Sequence, residues 1–253
     1  MKLGLEGKRA VVLGASKGLG AAVAKALAAE GASVTGGART VDAIEALGPG
    51  IRGRALDLSD PASVEAFTAG VVADGGADIL VNNSGGPPPG EASALPAHDY
   101  ARSFSTMAAP LIAITNALLP GMRAKKWGRI VTLTSSGVEA PIPRLALSNS
   151  IRQALVGWSK TLAGEVAADG VTANIIVQGR IHTDRVDELD AAAAKRLGKS
   201  IDEVRAQSIA QIPAGRYGRP EELADVVTFL VSERASYVTG SLIRVDGGML
   251  KSV

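Results

Sequence analysis

The chain of 253 residues contains no cysteine. That excludes disulfides, thiol nucleophiles and thiolate zinc sites, and it suits a reducing compartment. Histidine occurs twice, at His98 and His182. The two have no helix-turn spacing that could clasp a cation, so no metal site is expected. Aromatic residues make up 3% of the chain and hydrophobic residues 46%, so a core must be assembled from Ala, Val, Leu and Ile. A charge excess is missing too: 27 Lys and Arg stand against 25 Asp and Glu, for a formal net charge of +2. Neither nucleic acid nor a membrane surface is an expected partner. Lys2, Glu6, Lys8 and Arg9 interrupt any signal-peptide core, and a cytoplasmic location is the expectation. Residues 103–122 form an uncharged stretch, but Pro110, Asn116, Pro120, Gly121 and several hydroxyls make it a poor lipid span. A buried or subunit-facing helix is expected there.

The length fits one α/β domain over 1–253, which buries roughly 70–75% of its unfolded surface without staples. Short apolar runs read as strands at Ala10–Leu13, Ala32–Ala38, Arg54–Leu58, Ile79–Asn82, Arg129–Thr134, Thr172–Val177 and Leu242–Val245. Periodic Ala-rich segments near 19–30, 61–73, 97–125, 146–168 and 220–232 read as helices between them. This alternation predicts βαβ units: a doubly wound parallel sheet of about seven strands, Rossmann-like, with helices on both faces. The GGPPPG run at Gly85–Gly90 reads as a stiff loop after a strand. Residues 180–215 are longer and more charged than a crossover needs, and are expected to form a flap over a substrate.

The first strand runs into Gly14-Ala15-Ser16-Lys17-Gly18-Leu19-Gly20, and a helix follows. Glycines at such a strand–turn–helix junction let the backbone approach a pyrophosphate, whose charge then meets the free N–H groups of the helix start.

The GxxxGxG spacing resembles that of the short-chain dehydrogenase/reductase family, in particular its ketoacyl-carrier-protein-reductase-like members. The resemblance runs almost end to end. Asp57-Leu58 resembles the family's adenine-contacting acid and its neighbour, and Asn82-Asn83-Ser84-Gly85 resembles its NNAG segment with Ser for Ala. Gly128-Arg129-Ile130-Val131 leads a strand to Ser135. Gly215-Arg216 with Arg219-Pro220-Glu221-Glu222, and Thr239-Gly240 with Val245-Asp246-Gly247-Gly248, resemble its later motifs. The resemblance implies a nicotinamide cofactor held by Gly14, Ser16, Lys17, Gly18, Leu19, Gly20, Asp57, Leu58, Asn83, Ser84 and Gly85. Lys17 in the loop and Arg39 after the second strand stand where a 2′-phosphate would lie, which implies NADP(H) ahead of NAD(H). Homodimers or homotetramers are the family's usual assemblies.

The catalytic positions depart from the family pattern. Orthodox members use Ser, a Tyr-x-x-x-Lys pair and an upstream Asn. Ser135 matches the Ser, but Ser148 stands at the Tyr position, Arg152 at the Lys position and Met107 at the Asn position. The segment Ala154-Leu155-Val156-Gly157-Trp158 aligns without a gap, which fixes the register. Thr183 keeps the place of the carboxamide-contacting Thr. A Ser hydroxyl is a weaker acid than the Tyr phenol, whose ordinary pKa is about 10, and it is shorter. Arg152 remains protonated at ordinary pH, so it can hold a ribose hydroxyl or a substrate oxygen but cannot shuttle a proton. His182 is a candidate proton source beside the nicotinamide. Arg144, Arg152, Arg180 and Arg185 together suggest an anionic substrate. Ser148-Asn149-x-x-Arg152 resembles a divergent branch of the family that lacks the orthodox tetrad. Three functions follow as expectations: an NADP(H)-dependent oxidoreductase acting on a carbonyl or alcohol, a nucleotide-binding sensor or scaffold without turnover, or a non-redox enzyme on the same fold.

Overall fold

A computed structural model describes residues 2–252. Seven strands form one parallel sheet: β1 (Arg9–Leu13), β2 (Ser33–Ala38), β3 (Ile51–Ala55), β4 (Ile79–Asn82), β5 (Gly128–Leu133), β6 (Val171–Gln178) and β7 (Leu242–Val245). Their order is β3-β2-β1-β4-β5-β6-β7. The chain turns back across the sheet between β1 and β4, and the crevice beyond the carboxyl ends of those two strands is where ligands bind in such sheets. Register is fixed by pairs such as Val12 with Gly36 and Val12 with Val81.

The helices are α1 (Gly18–Ala29), α2 (Val41–Glu45), α3 (Pro61–Ala73), α4 (Ala97–Met107), α5 (Ala109–Ala124), α6 (Ala146–Val166), α7 (Asp184–Leu197), α8 (Ile201–Ile209) and α9 (Pro220–Leu230). Two apolar layers cover the sheet. One joins Val12, Val34, Val81 and Ile176 to α1, α2 and α9 through Val23, Leu27, Ile44, Leu223 and Val227. The other joins Val11, Leu80 and Ile130 to α3, α5 and α6 through Phe67, Ile114, Leu118, Leu155 and Leu162. The central strands β4 and β5 are buried at every residue, as expected where both faces are covered.

Three boundaries differ from the sequence reading. The third strand begins at Ile51, not Arg54, and has ended before Asp57. It is an edge strand with half-exposed side chains, so its pattern is weak, and the Asp57 carboxylate turns the chain by accepting Ser59 N–H. The segment at 97–125 is broken at Ala108, two residues before Pro110, whose missing N–H suits a helix start. The short α2 was not anticipated. Residues 97–124 together are long and apolar enough to cross a membrane by length and composition alone, with mean hydropathy 1.3 in the best window. Here Met107, Leu111, Ile114, Leu118 and Met122 are packed in the second apolar layer.

Candidate active site

The loop after β1 is shaped by its glycines. Gly14 and Gly18 adopt φ of +64° and +57°, a left-handed conformation costly for other residues. A Cβ on Gly20 would collide with the Gly14 carbonyl, so only glycine lets α1 start this close to β1. The N-cap residue, Lys17, offers no side-chain cap, which leaves the first N–H groups of α1 facing the crevice. Asn83, just past β4, donates from Nδ2 to the Leu13 carbonyl at 3.2 Å and so fastens the two strand ends that bound the crevice.

At the β2 side of the crevice, the Asp57 carboxylate accepts from Ser59 Oγ at 2.6 Å and from Ser59 N at 2.9 Å. These bonds, with a smaller contribution from the Arg39 charge, hold its pKa below the ordinary value. Arg39 is exposed at the end of β2. Lys17 Nζ lies 3.7 Å from the Asp184 carboxylate, and both side chains are mostly in solvent, so this pair contributes little and leaves Lys17 available. Ser16 and Leu19 are half-buried in the loop, and Leu58 packs on the second apolar layer. Thr183 is the N-cap of α7, and its Cγ2 would stand 3.5 Å from a Cβ on Gly18. The start of α7 therefore meets the phosphate loop.

The chemistry-bearing end lies past β4 and β5. Ser135 caps the turn Ser136–Val138, its Oγ accepting from Gly137 N at 3.2 Å and keeping its own proton to donate. On α6, Arg152 Nε donates to Ser148 Oγ at 3.3 Å. The Tyr and Lys positions of the family pattern are thus one turn apart on one helix face, and the two new side chains touch. Arg152 Nη1 donates to the Leu133 carbonyl at 3.0 Å and Nη2 to the Ser84 carbonyl at 3.4 Å. Among the described residues no carboxylate lies within 4.0 Å of this guanidinium. Burial, aided by the nearby Arg185 charge, lowers its pKa to about 10, which still leaves it cationic near pH 7. Asn149 fixes the neighbouring loop by donating to the Ile142 carbonyl at 2.9 Å and accepting from Ile142 N at 3.3 Å. Met107 is buried at the end of α4 and brings no polar atom to the family's Asn place.

The remaining candidates are distributed differently. Arg180 Nη1 donates to Asp190 at 2.6 Å, and Tyr217 Oη donates to the same carboxylate at 2.8 Å. Desolvation and the Asp190 charge push the Tyr217 phenol above its ordinary pKa, the wrong direction for a proton donor near neutrality. His182 Nε2 lies 3.3 Å from Asp187, which also accepts from Arg205 at 2.6 Å. The imidazole is more than half exposed and stands beside the Tyr217 ring, centroids 6.4 Å apart. Arg144 pairs with Glu91 on the surface at 2.6 Å. Arg185 Nη2 donates to the Pro87 carbonyl at 3.2 Å, and its Nη1 meets Glu188 at 3.2 Å. Arg152, Arg185 and Arg144 all reach the loop after β4, but only Arg152 and Arg185 donate to its backbone carbonyls, at Ser84 and Pro87. Arg180 and Arg144 are committed to acids. Sequence reading missed Asp190, wholly buried on α7. The signal was present: Asp184, Asp187 and Asp190 recur every three residues along one face of a helix.

A family model described as enoyl-(acyl carrier protein) reductase matches residues 14–250. The 3-oxoacyl-(acyl-carrier-protein) reductase of Vibrio cholerae is 36% identical over 254 residues, covering 98% of this chain and 99% of its own. The D-beta-hydroxybutyrate dehydrogenase of Cupriavidus necator is 35% identical and covers 96% and 98%. Among solved structures, the L-sorbose reductase of Gluconobacter frateurii complexed with NADPH and L-sorbose is 33% identical, with a TM-score of 0.92 over the full length of both chains. YwfH, an NADPH-dependent reductase involved in bacilysin biosynthesis, is 28% identical, with a TM-score of 0.93 over 98% of this chain. The glycine loop at the switch point and agreement along nearly the whole chain establish that this protein belongs to the short-chain dehydrogenase/reductase family of oxidoreductases.

Proposed function

We propose that the protein is an NADP(H)-dependent oxidoreductase that interconverts a carbonyl and an alcohol in a site built from Ser135, Ser148 and Arg152. The observation that carries this reading is the Ser148–Arg152 contact standing beside an intact phosphate loop. The crevice fits a phosphorylated dinucleotide: Gly20 leaves no room for a Cβ, the first N–H groups of α1 are uncapped, and Lys17 and Arg39 bring two exposed cations. Lys17 and Arg39 would hold the 2′-phosphate, Asp57 and Leu58 would border the adenine, and the backbone of Asn83, Ser84 and Gly85 would wall the ribose. Thr183 would meet the carboxamide. The nicotinamide, when bound, supplies or receives the hydride.

Ser135 and Ser148 present hydroxyl protons to the substrate oxygen. Arg152 fixes the lone pair of Ser148 and holds positive charge where negative charge develops on that oxygen. Ser148 is too weak an acid to replace a phenol, so the proton comes from water, with His182 as the titratable side chain on the approach. Residues 180–215, carried on α7 and α8, close as a flap over the substrate within the one domain. The protein works in the cytoplasm as a homodimer or homotetramer. An apolar groove of about 560 Å³ between α3 and α5, lined by Val64, Val72, Ala109, Ala113 and Ala117, supports burial against a second copy. A monomer at micromolar concentration in light scattering would contradict that assembly.

Parallel calorimetric titrations with NADPH and NADH test the reading. NADPH should bind at least tenfold tighter, about 1.4 kcal/mol. Absence of binding by either nucleotide would sink it. One observation favours a second reading, a nucleotide sensor without turnover: Tyr217, which stands beside His182, has its hydroxyl committed to Asp190. Tight NADPH binding with no oxidation across a carbonyl panel would select that alternative.

A further inference from the structure

The Arg152 guanidinium is almost completely enclosed, with 8% of the residue exposed, yet among the described residues it has only neutral acceptors. Burying a cation without a counter-ion is expensive, and such groups are ordinarily paired. Three of its five N–H groups are used, on Ser148 Oγ, Leu133 O and Ser84 O, which leaves two. Arg185 comes to the same short loop from α7, donating to Pro87 O three residues past Ser84. Its carboxylate partner, Glu188, is an exposed neighbour on its own helix and neutralises little. Two cations therefore converge on the stretch 84–87 and repel one another there. A third observation lies on the same stretch: Ser84 Oγ is buried, in a residue 7% exposed, and has no hydrogen-bond partner among the described residues. Buried hydroxyls are almost always satisfied, so an orphan donor on a stretch that receives Arg152, which has no carboxylate partner, and Arg185, held only by an exposed one, marks a place for an acceptor that carries negative charge.

We infer that the free N–H groups of Arg152, the Arg185 guanidinium and the Ser84 hydroxyl bind the carboxylate of the substrate, which makes the substrate a short oxo acid or its hydroxy-acid counterpart. This rests on the oxidoreductase reading above and adds the second group the substrate must carry. A carboxylate suits the site because two oxygens in a plane match a guanidinium fork. Ser148 joins this anion site to the reacting carbonyl: it accepts from Arg152 and points its remaining proton at the substrate oxygen, so carboxylate and carbonyl must be close neighbours in one small molecule. Arg185 belongs to α7, so the bound carboxylate also draws the flap onto the loop.

The test compares 2-oxobutanoate with its methyl ester, which keeps the carbonyl and removes the charge. Binding to the full protein is measured by calorimetry, once alone and once saturated with oxidised NADP+. The acid should bind at least tenfold tighter than the ester, and Arg185→Gln should remove that preference while the ester binds as before. Arg185→Lys should restore part of it. Equal binding of acid and ester, failure of the acid to bind, or a preference that survives Arg185→Gln would overturn the inference, as would inorganic phosphate binding as tightly as the acid. The acid-against-ester comparison is read without nucleotide and with oxidised NADP+, which has no hydride to transfer, and the titrations without nucleotide separate the two claims. A protein that prefers the acid but binds no NADPH retains this site and loses the oxidoreductase reading.

Discussion

Arg180 and Asp190 form an ion pair at 2.6 Å in which the carboxylate is wholly buried and the guanidinium is about one-third exposed. The asymmetry decides what each substitution does. Arg180→Gln leaves a buried carboxylate with Tyr217 as its remaining strong donor and should cost about 3–5 kcal/mol, or force the carboxyl to protonate. Asp190→Asn leaves a guanidinium that can turn to water and should cost about 1–2 kcal/mol, a fall in Tm of roughly 2–8 °C for a chain of this size. Thermal unfolding of the two variants checks the order. Equal destabilisation would show that burial of Asp190 is not what sets the cost.

The phosphate loop should discriminate by charge. Lys17→Ala and Arg39→Ala each remove one exposed cation and should weaken NADPH by about tenfold while leaving NADH within error, because only the 2′-phosphate distinguishes the two. Gly20→Ala is different in kind. Its Cβ would strike the Gly14 carbonyl, so both nucleotides should be lost together. A Gly20→Ala protein that binds NADPH normally would show that the loop has room the structure does not give it.

Acid stability should depend on Glu222. Its carboxylate accepts from Arg216 at 2.6 and 2.8 Å and from Arg219 N at 2.7 Å. The Arg216 bond, then the Arg219 backbone bond, lower its pKa from 4.5 to about 2. A depressed carboxylate pKa stabilises the fold above the unfolded value, and that contribution disappears as pH falls through the folded one. The window is therefore pH 4.5 down to about 2, and denaturant unfolding of Glu222→Gln should vary less with pH across it than the parent protein does. Parallel curves for the two proteins would contradict the assignment.

The parts legible in the sequence are those with a local cause. β1, β4, β5 and β6 are apolar runs buried on both faces, and a parallel sheet leaves few other arrangements for them. Gly14, Gly18 and Gly20 announce the phosphate turn because no other residue fits there. The edge strand β3 was misplaced because Ile51–Ala55 has only one hydrogen-bonded neighbour and a mixed pattern. At the active site, Ser148 and Arg152 could be paired from their spacing of four on one helix. Which arginine is free could not be read, since Asp190 reaches Arg180 and Tyr217 only through the packing of α7 against the 216–218 turn. Arg180 and Arg152 look alike in sequence. One has a buried acid and the other has two carbonyls.

Arg152 itself should show opposite effects on stability and on function. Burial pulls its pKa down to about 10, so the folded state holds this proton less tightly than the unfolded chain does. Above that value the unfolded state binds more protons, and stability contributed by this group rises with pH. Near neutrality, then, the cation opposes folding, and its three hydrogen bonds only partly offset the desolvation. Arg152→Met fills a similar volume without charge and should leave stability unchanged or raise it by about 0–2 kcal/mol. The same variant should lose most turnover, because Arg152 both fixes Ser148 and brings the positive charge that faces the substrate oxygen. Arg152→Lys should keep the charge, lose the fork and fall between the two in activity. Thermal unfolding and single-turnover NADPH oxidation, measured on the same preparations, check both halves. A methionine variant that is several degrees less stable would mean that the carbonyls of Leu133 and Ser84 need the guanidinium to hold the ends of β4 and β5 together. Arg152 would then be structural first, and its departure from the family's lysine would be explained by packing.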